Sequence, residues 1–181
     1  FPGLCSSLSG GILVTVIQEA GMFIQIVTTG GTIDKVYFDA LSEFQIGEPI
    51  IGELLKDARV GFDYAIESLT RKDSLELDDN DRELIRSRVA ACPADHILIT
   101  HGTDTMTVTA AALADIENKV IVLTGAMQPA RFRDSDAPFN VGLAIGALNS
   151  CQPGVYIAMS GRVFAADGVR KNRLAGKFEG V

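Results

Sequence analysis

Cysteine and histidine are scarce in this chain. Cys5, Cys92 and Cys151 stand far apart with no Cys-x-x-Cys pair, and the histidines are His96 and His101 alone. That is a poor set of zinc ligands and no disulfide framework, so no metal and no other cofactor is expected. An odd, dispersed thiol count fits a reducing compartment, which points to a cytoplasmic protein. Long apolar runs are also missing. The first, Ile12 to Ile17, is far below the roughly 20 residues a membrane helix needs, and no basic segment precedes it as in a signal peptide. Basic runs are absent as well, and the net charge of −7 leaves nothing to hold a phosphate backbone. Neither membrane nor nucleic acid is expected as a partner.

What remains is material for a globular enzyme or binding module. With 181 residues, 47% of them hydrophobic, the chain can bury one sizeable core but is short for two ordinary domains, so a single domain is expected. It opens Phe-Pro-Gly, and Met22 stands immediately before the first convincing strand. Residues 1–21 are therefore read as a leader or upstream extension, and 22–181 as the functional unit. Short β-branched runs, Phe23–Thr28, Tyr64–Leu69, Ile97–Thr100, Val120–Leu123 and Val155–Met159, alternate with helix-like stretches. Those stretches are Glu83–Ala91 behind the acidic caps of residues 78–81, about Thr105 to Ala114, and about Asn140 to Asn149. This order predicts a doubly wound α/β fold, a mostly parallel sheet with helices on both faces. In such sheets ligands bind at the carboxyl ends of the strands.

The loops at those ends are rich in threonine, glycine and acid. The first strand runs into Thr29-Gly30-Gly31-Thr32-Ile33, the third into His101-Gly102-Thr103-Asp104-Thr105, and the fourth into Gly125-Ala126-Met127-Gln128-Pro129. Paired glycines before Thr32 free the backbone to approach a ligand and to turn amide N–H groups toward a developing oxyanion. A threonine hydroxyl attacks only when a base takes its proton. By itself Gly-Gly-Thr equally describes a tight turn with a packed threonine, and Thr103-Asp104 equally describes a helix cap. Asp104 could also hold a substrate ammonium. Neither GxGxxG nor GxxxxGK[ST] is present, which argues against a nucleotide, and without a GxSxG elbow His101 has no serine to serve.

Taken together, the three loops resemble the N-terminal catalytic domain of the bacterial and archaeal L-asparaginases, which carry TGGTI, HGTDT and GAMxP in this order. The resemblance runs from about Phe23 to Val181. It implies that Thr32 is the nucleophile, attacking a side-chain amide carbon to give a β-aspartyl ester that water cleaves. It also implies that Thr103, Asp104 and Lys171 form the other half of the machinery. Asp73-Ser74 looks like the pair that grips the substrate α-carboxylate in cytoplasmic relatives, with Leu75 in place of a polar neighbour. Gly31 and Gly102, beside the two threonines, complete the substrate-binding set. The family's catalytic tyrosine falls on Phe44, which cannot move a proton, and Tyr37, five residues beyond Thr32, is the phenol expected to stand in for it.

The resemblance therefore implies conversion of L-asparagine, with L-glutamine as competing substrate, to the acid and ammonia. Family members continue into a second, smaller domain, and the expectation here is a short form completed as a homo-oligomer. Two other readings stand beside it. One is a non-catalytic sensor that keeps the pocket. The other is an amidase acting on aminoacyl-tRNA, which the acidic balance disfavours.

Overall fold

A computed structural model describes residues 21–38 and 43–181. The leader expectation, residues 1–21, lies outside the described residues apart from Gly21. Strand β1 (Phe23–Gly30) leads through a short 3-10 turn (Thr32–Asp34) into a hairpin of β2 (Lys35–Phe38) and β3 (Glu43–Ile46), then helix α1 (Ile51–Asp57). Alternation follows: β4 (Asp63–Lys72), α2 (Asp79–Ala91), β5 (His96–Thr100), α3 (Met106–Ala112), β6 (Val120–Thr124), α4 (Ala137–Ser150) and β7 (Gly154–Met159). Beyond these lie β8 (Arg162–Ala165) and a small antiparallel pair, β9 (Val169–Asn172) and β10 (Lys177–Gly180).

The main sheet has the order β4-β1-β5-β6-β7-β8, with the first five strands mutually parallel and β8 antiparallel at one edge. Strand period assigns each residue to a face. Ile24, Ile26, Leu98, Val120 and Val122 pack on one side against α1 and α4. Val27, Ile97, Ile99, Ile121 and Leu123 pack on the other against α2 and α3. Both faces are covered, which is why these strands read as continuous apolar runs. Each isoleucine buried here contributes about 2 kcal/mol through lost contact with water.

Helix ends follow side-chain chemistry. Asp78 accepts from the Asp81 amide at 2.9 Å while Asp81 accepts from the Asp78 amide at 3.0 Å, a reciprocal cap that starts α2 earlier than expected. Helix α4 begins at Ala137 rather than near Asn140, because Pro138 suits a first turn. The β2–β3 hairpin, α1 and the last three strands were not anticipated. For β8 the signal was present: Ser160 and Gly161 both take positive φ, the two-residue hairpin turn. Among the described residues no helix is long and apolar enough to cross a membrane.

Candidate active site

The chain order of the sheet dictates where a crevice opens. From β1 the chain crosses to β4 on one side, returns to β5 on the other, and continues outward through β6 and β7. The loops leaving β1 and β5 consequently diverge from adjacent strands at their carboxyl ends, the place where doubly wound sheets bind ligands. Glycine lets these loops close on each other. A Cβ on Gly31 would stand 2.4 Å from the Cα and N of Gly102, and one on Gly102 would stand 2.7 Å from the Ser74 side chain. Gly31 also holds φ near +89°, a conformation that side chains rarely tolerate. Thr32 and Thr103, each following one of these glycines, flank the same contact.

Three side chains named from sequence meet here. Lys171 Nζ donates to Thr103 Oγ1 at 2.7 Å and to Asp104 Oδ1 at 2.8 Å, although the lysine lies 68 residues beyond the threonine. Alternation in β9 explains its aim: Val169 is buried in the core beside α3, and Lys171, two residues on, lies on the same face. Its cross-strand partner Phe178 is also buried, fixing the strand pair. Thr103 is buried, and the Lys171 side chain retains 14% exposure, enough for contact with a small molecule but well shielded from bulk water. The second carboxylate oxygen of Asp104 has no partner among the described residues.

Ser74 is buried, accepting from the Asp104 amide at 3.2 Å through Oγ and from the Thr105 hydroxyl at 2.7 Å through its carbonyl. Its own hydroxyl proton stays free to donate. Asp73 is tied to Lys35 at 2.8 Å, at the start of β2. Burial pushes the Asp73 carboxyl up, and the Lys35 bond with the Leu75 and Ser74 amides more than reverses this, leaving it below its ordinary value. Leu75 is exposed. The Gly31 amide donates to the Lys72 carbonyl at 3.0 Å, so it is engaged in the scaffold rather than turned toward an oxyanion.

Thr32 is half-buried, and its hydroxyl forms no hydrogen bond among the described residues. Tyr37 is not brought against it by any hydrogen bond. Its ring is exposed and meets Phe44, its direct partner across the hairpin, edge-on at 5.5 Å. Phe44 in turn approaches Phe132 at 6.0 Å. The phenol and the position to which the resemblance assigns a tyrosine thus share one face of the β2–β3 hairpin.

His101 supports the site without facing it. Its Nδ1–H donates to the Gly102 carbonyl at 2.7 Å, leaving Nε2 to accept from the Thr109 hydroxyl at 2.8 Å. Complete burial lowers its pKa from 6.5 to about 4, so it stays neutral. Stability from this depressed group is present above pH 6.5 and is lost as pH falls toward 4, by about 3 kcal/mol. Asp34 acts oppositely. Burial raises its pKa from 3.8 to about 6 against the Ile50 hydrogen bond and the charges of Arg131 and Arg71, so its contribution is full below pH 3.8 and is lost through 6. The two slopes offset between pH 6 and 4. Thermal melts of Asp34→Asn are expected to fall steeply as pH drops from 6.5 to 4, and the wild type far less; parallel curves would refute the offset.

Sequence reading missed the braces behind the loops. Asp136 accepts from the Met127 and Gln128 amides at 3.0 and 3.1 Å and from Asn140 Nδ2 at 2.8 Å. Asn140 also donates to the Gly125 carbonyl at 3.1 Å, so the loop after β6 hangs from the first turn of α4. The cluster Asp134-Ser135-Asp136 ahead of an apolar helix was the available signal.

Residues 23–176 match the family described as asparaginase, N-terminal. A glutaminase-asparaginase of Acinetobacter glutaminasificans is 32% identical over 167 residues, covering 81% of this chain and 48% of that relative. The fold is similar to that of the thermostable L-asparaginase from Thermococcus kodakarensis, with a TM-score of 0.78 at 28% identity over 88% of this chain and 51% of that one. It is also similar to a probable cytoplasmic L-asparaginase from Campylobacter jejuni, with a TM-score of 0.74 at 29% identity, again over 88% and 51%. The chain spans about half the length of these relatives.

Proposed function

We propose, for a chain that belongs to the asparaginase family by its N-terminal domain, that it hydrolyses the side-chain amide of L-asparagine to L-aspartate and ammonia. L-glutamine is the competing substrate, one methylene longer, and a methylene in a pocket is worth only about 1–3 kcal/mol. The observation that carries this reading is Lys171 poised between Thr103 and Asp104 at 2.7 and 2.8 Å beside the Gly31–Gly102 contact.

In this reading Thr32 Oγ attacks the amide carbon and its proton passes to the leaving nitrogen, so the C–N bond breaks as ammonia and a β-aspartyl ester forms. Water then attacks the ester carbon, releasing aspartate and restoring the hydroxyl. Thr103, with Lys171 and Asp104, orients that water and relays its proton. Tyr37 carries the Thr32 proton, a role supported by its place in the hairpin that begins one residue after the Thr32 turn. Ser74 donates its free proton to the α-carboxylate, and the unpartnered oxygen of Asp104 receives the ammonium.

One observation favours a second assignment of the nucleophile. Thr103 has an amine at 2.7 Å, whereas the Thr32 hydroxyl has no partner among the described residues. Ammonia release from both amides, with acid-quenched enzyme mapped for the ester during turnover, separates the two. Ester on Thr32, with turnover abolished in Thr32→Ala, supports the main assignment, and ester on Thr103 reverses it. No turnover, with asparagine binding retained by calorimetry, would convert the reading to a sensor module. A cytoplasmic location is part of the proposal, supported by the scattered thiols, Cys92 and Cys151 forming no disulfide among the described residues. A homo-oligomer is proposed as the working assembly, supported by the exposed Phe132, Phe139 and Leu174.

A further inference from the structure

The turn that carries Thr32 is held almost wholly by backbone. Gly31 N donates to Lys72 O at 3.0 Å, Asp34 N to Gly31 O at 3.2 Å, Ala130 N to Ile33 O at 3.1 Å, and Gly47 N to Asp34 O at 2.8 Å. One side chain joins them. Asp34 Oδ1 accepts the Ile50 amide at 2.9 Å, tying the turn to the residue that precedes α1. The Gly47 and Ile50 bonds together fix the far end of the β2–β3 hairpin against its near end, so Asp34 sits where the hairpin base closes on the Thr32 turn. The other oxygen, Oδ2, is buried with no partner among the described residues, and the residue is 3% exposed.

A buried carboxylate with an idle oxygen is costly to retain, because desolvation of that oxygen goes uncompensated. An apolar residue would pack there without that penalty, but it would release the Ile50 amide and with it the downstream end of the turn. The charged groups that act on Asp34 are Arg131, from the loop between β6 and α4, and Arg71, on β4. Both are already committed, Arg131 to Glu53 at 3.3 Å and Arg71 to Glu48 at 2.6 Å, so neither reaches Oδ2.

We propose that Asp34 is a positioning residue: through the Ile50 amide it fixes the turn that aims the Thr32 hydroxyl and anchors the hairpin that bears Tyr37. The proposal rests on the asparaginase reading for its kinetic consequence but not for its structural one. Asp34→Ala frees the turn, whereas Asp34→Asn keeps an acceptor for Ile50 and exchanges the titratable oxygen Oδ2 for an amide NH2.

The test pairs amide hydrogen exchange with kinetics on the full chain. In Asp34→Ala, exchange is expected to rise in peptides covering residues 31–36 and 47–51 while α2 and β5 keep wild-type protection, and Asp34→Asn is expected to restore the first two. Ammonia release should show kcat lowered about 100-fold in Asp34→Ala, the scale of a misplacement near 1 Å, with KM little changed. Asp34→Asn should recover most of that loss, and its kcat/KM profile should lack the inflection near pH 6 expected of wild type. Unchanged exchange at both peptides overturns the proposal, whether or not the chain is active. Wild-type failure to release ammonia defeats the asparaginase reading instead, and the exchange comparison still decides the role of Asp34. Wild-type kcat in Asp34→Ala, measured where it is folded, also overturns the proposal, since a purely structural group would affect melting alone.

Discussion

Lys171→Met is expected to lower kcat for asparagine hydrolysis by about 1,000-fold while leaving the melting temperature near that of wild type. Methionine keeps the length of the stem and removes the ammonium that holds Thr103 and Asp104 at 2.7 and 2.8 Å. The Asp104 side chain retains 33% exposure, so losing its ion pair costs little stability once water screens the charge. Arginine would not rescue, because a planar fork cannot replace a point donor shared between a hydroxyl and a carboxylate. Arg170→Met is the matched control. Its side chain is 66% exposed and pairs with Glu179 at 2.9 Å on the opposite face of β9, so kcat should hold within about twofold. Steady-state ammonia release reads both variants. A Lys171→Met enzyme changed only in KM would assign the lysine to substrate binding rather than to proton transfer.

Gly31→Ala should be severely damaging for a single added methyl. The added carbon would lie 2.4 Å from the Gly102 backbone, with φ near +89° forbidding relief by a small rotation. Backbone strain of about 1–3 kcal/mol adds to overpacking of similar size, for a loss of about 3–5 kcal/mol. The Thr32 and Thr103 loops would be forced apart, so activity should vanish even where the variant stays folded. Gly142→Ala offers the contrast. On α4 its Cβ meets nothing within 4 Å, and the protein should gain about 0.5–1 kcal/mol. Urea unfolding of the pair distinguishes packing from propensity. Equal midpoints would mean the Gly31–Gly102 contact is looser than its geometry.

The α/β architecture was legible because its strands are buried on both faces, so that β1, β5 and β6 read as uninterrupted β-branched runs. Helix α2 announced itself through Asp78 and Asp81. The hairpin at residues 35–46 and the β9–β10 pair were not legible. They are four-residue strands in which few of the described side chains are buried, Val169 and Phe178 among them, so each is too short for a period to register. At the site, Thr32, Thr103 and Asp104 could be named from motifs local to single loops.

Sequence alone determined the order of the five parallel strands and of α2, α3 and α4, the two-sided core, and which loops hold hydroxyls, glycines and acids, because each depends on residues near one another in the chain. Tertiary structure decided the rest. Only the folding back of β9 brings Lys171 across 68 residues to Thr103. Tight loop closure turns Gly31 and Gly102 from permissive residues into required ones. Asp34 passes from an unremarked acid after Thr32 to a buried carboxylate holding the Ile50 amide. Contacts such as these depend on burial and approach between distant segments, which no local pattern encodes.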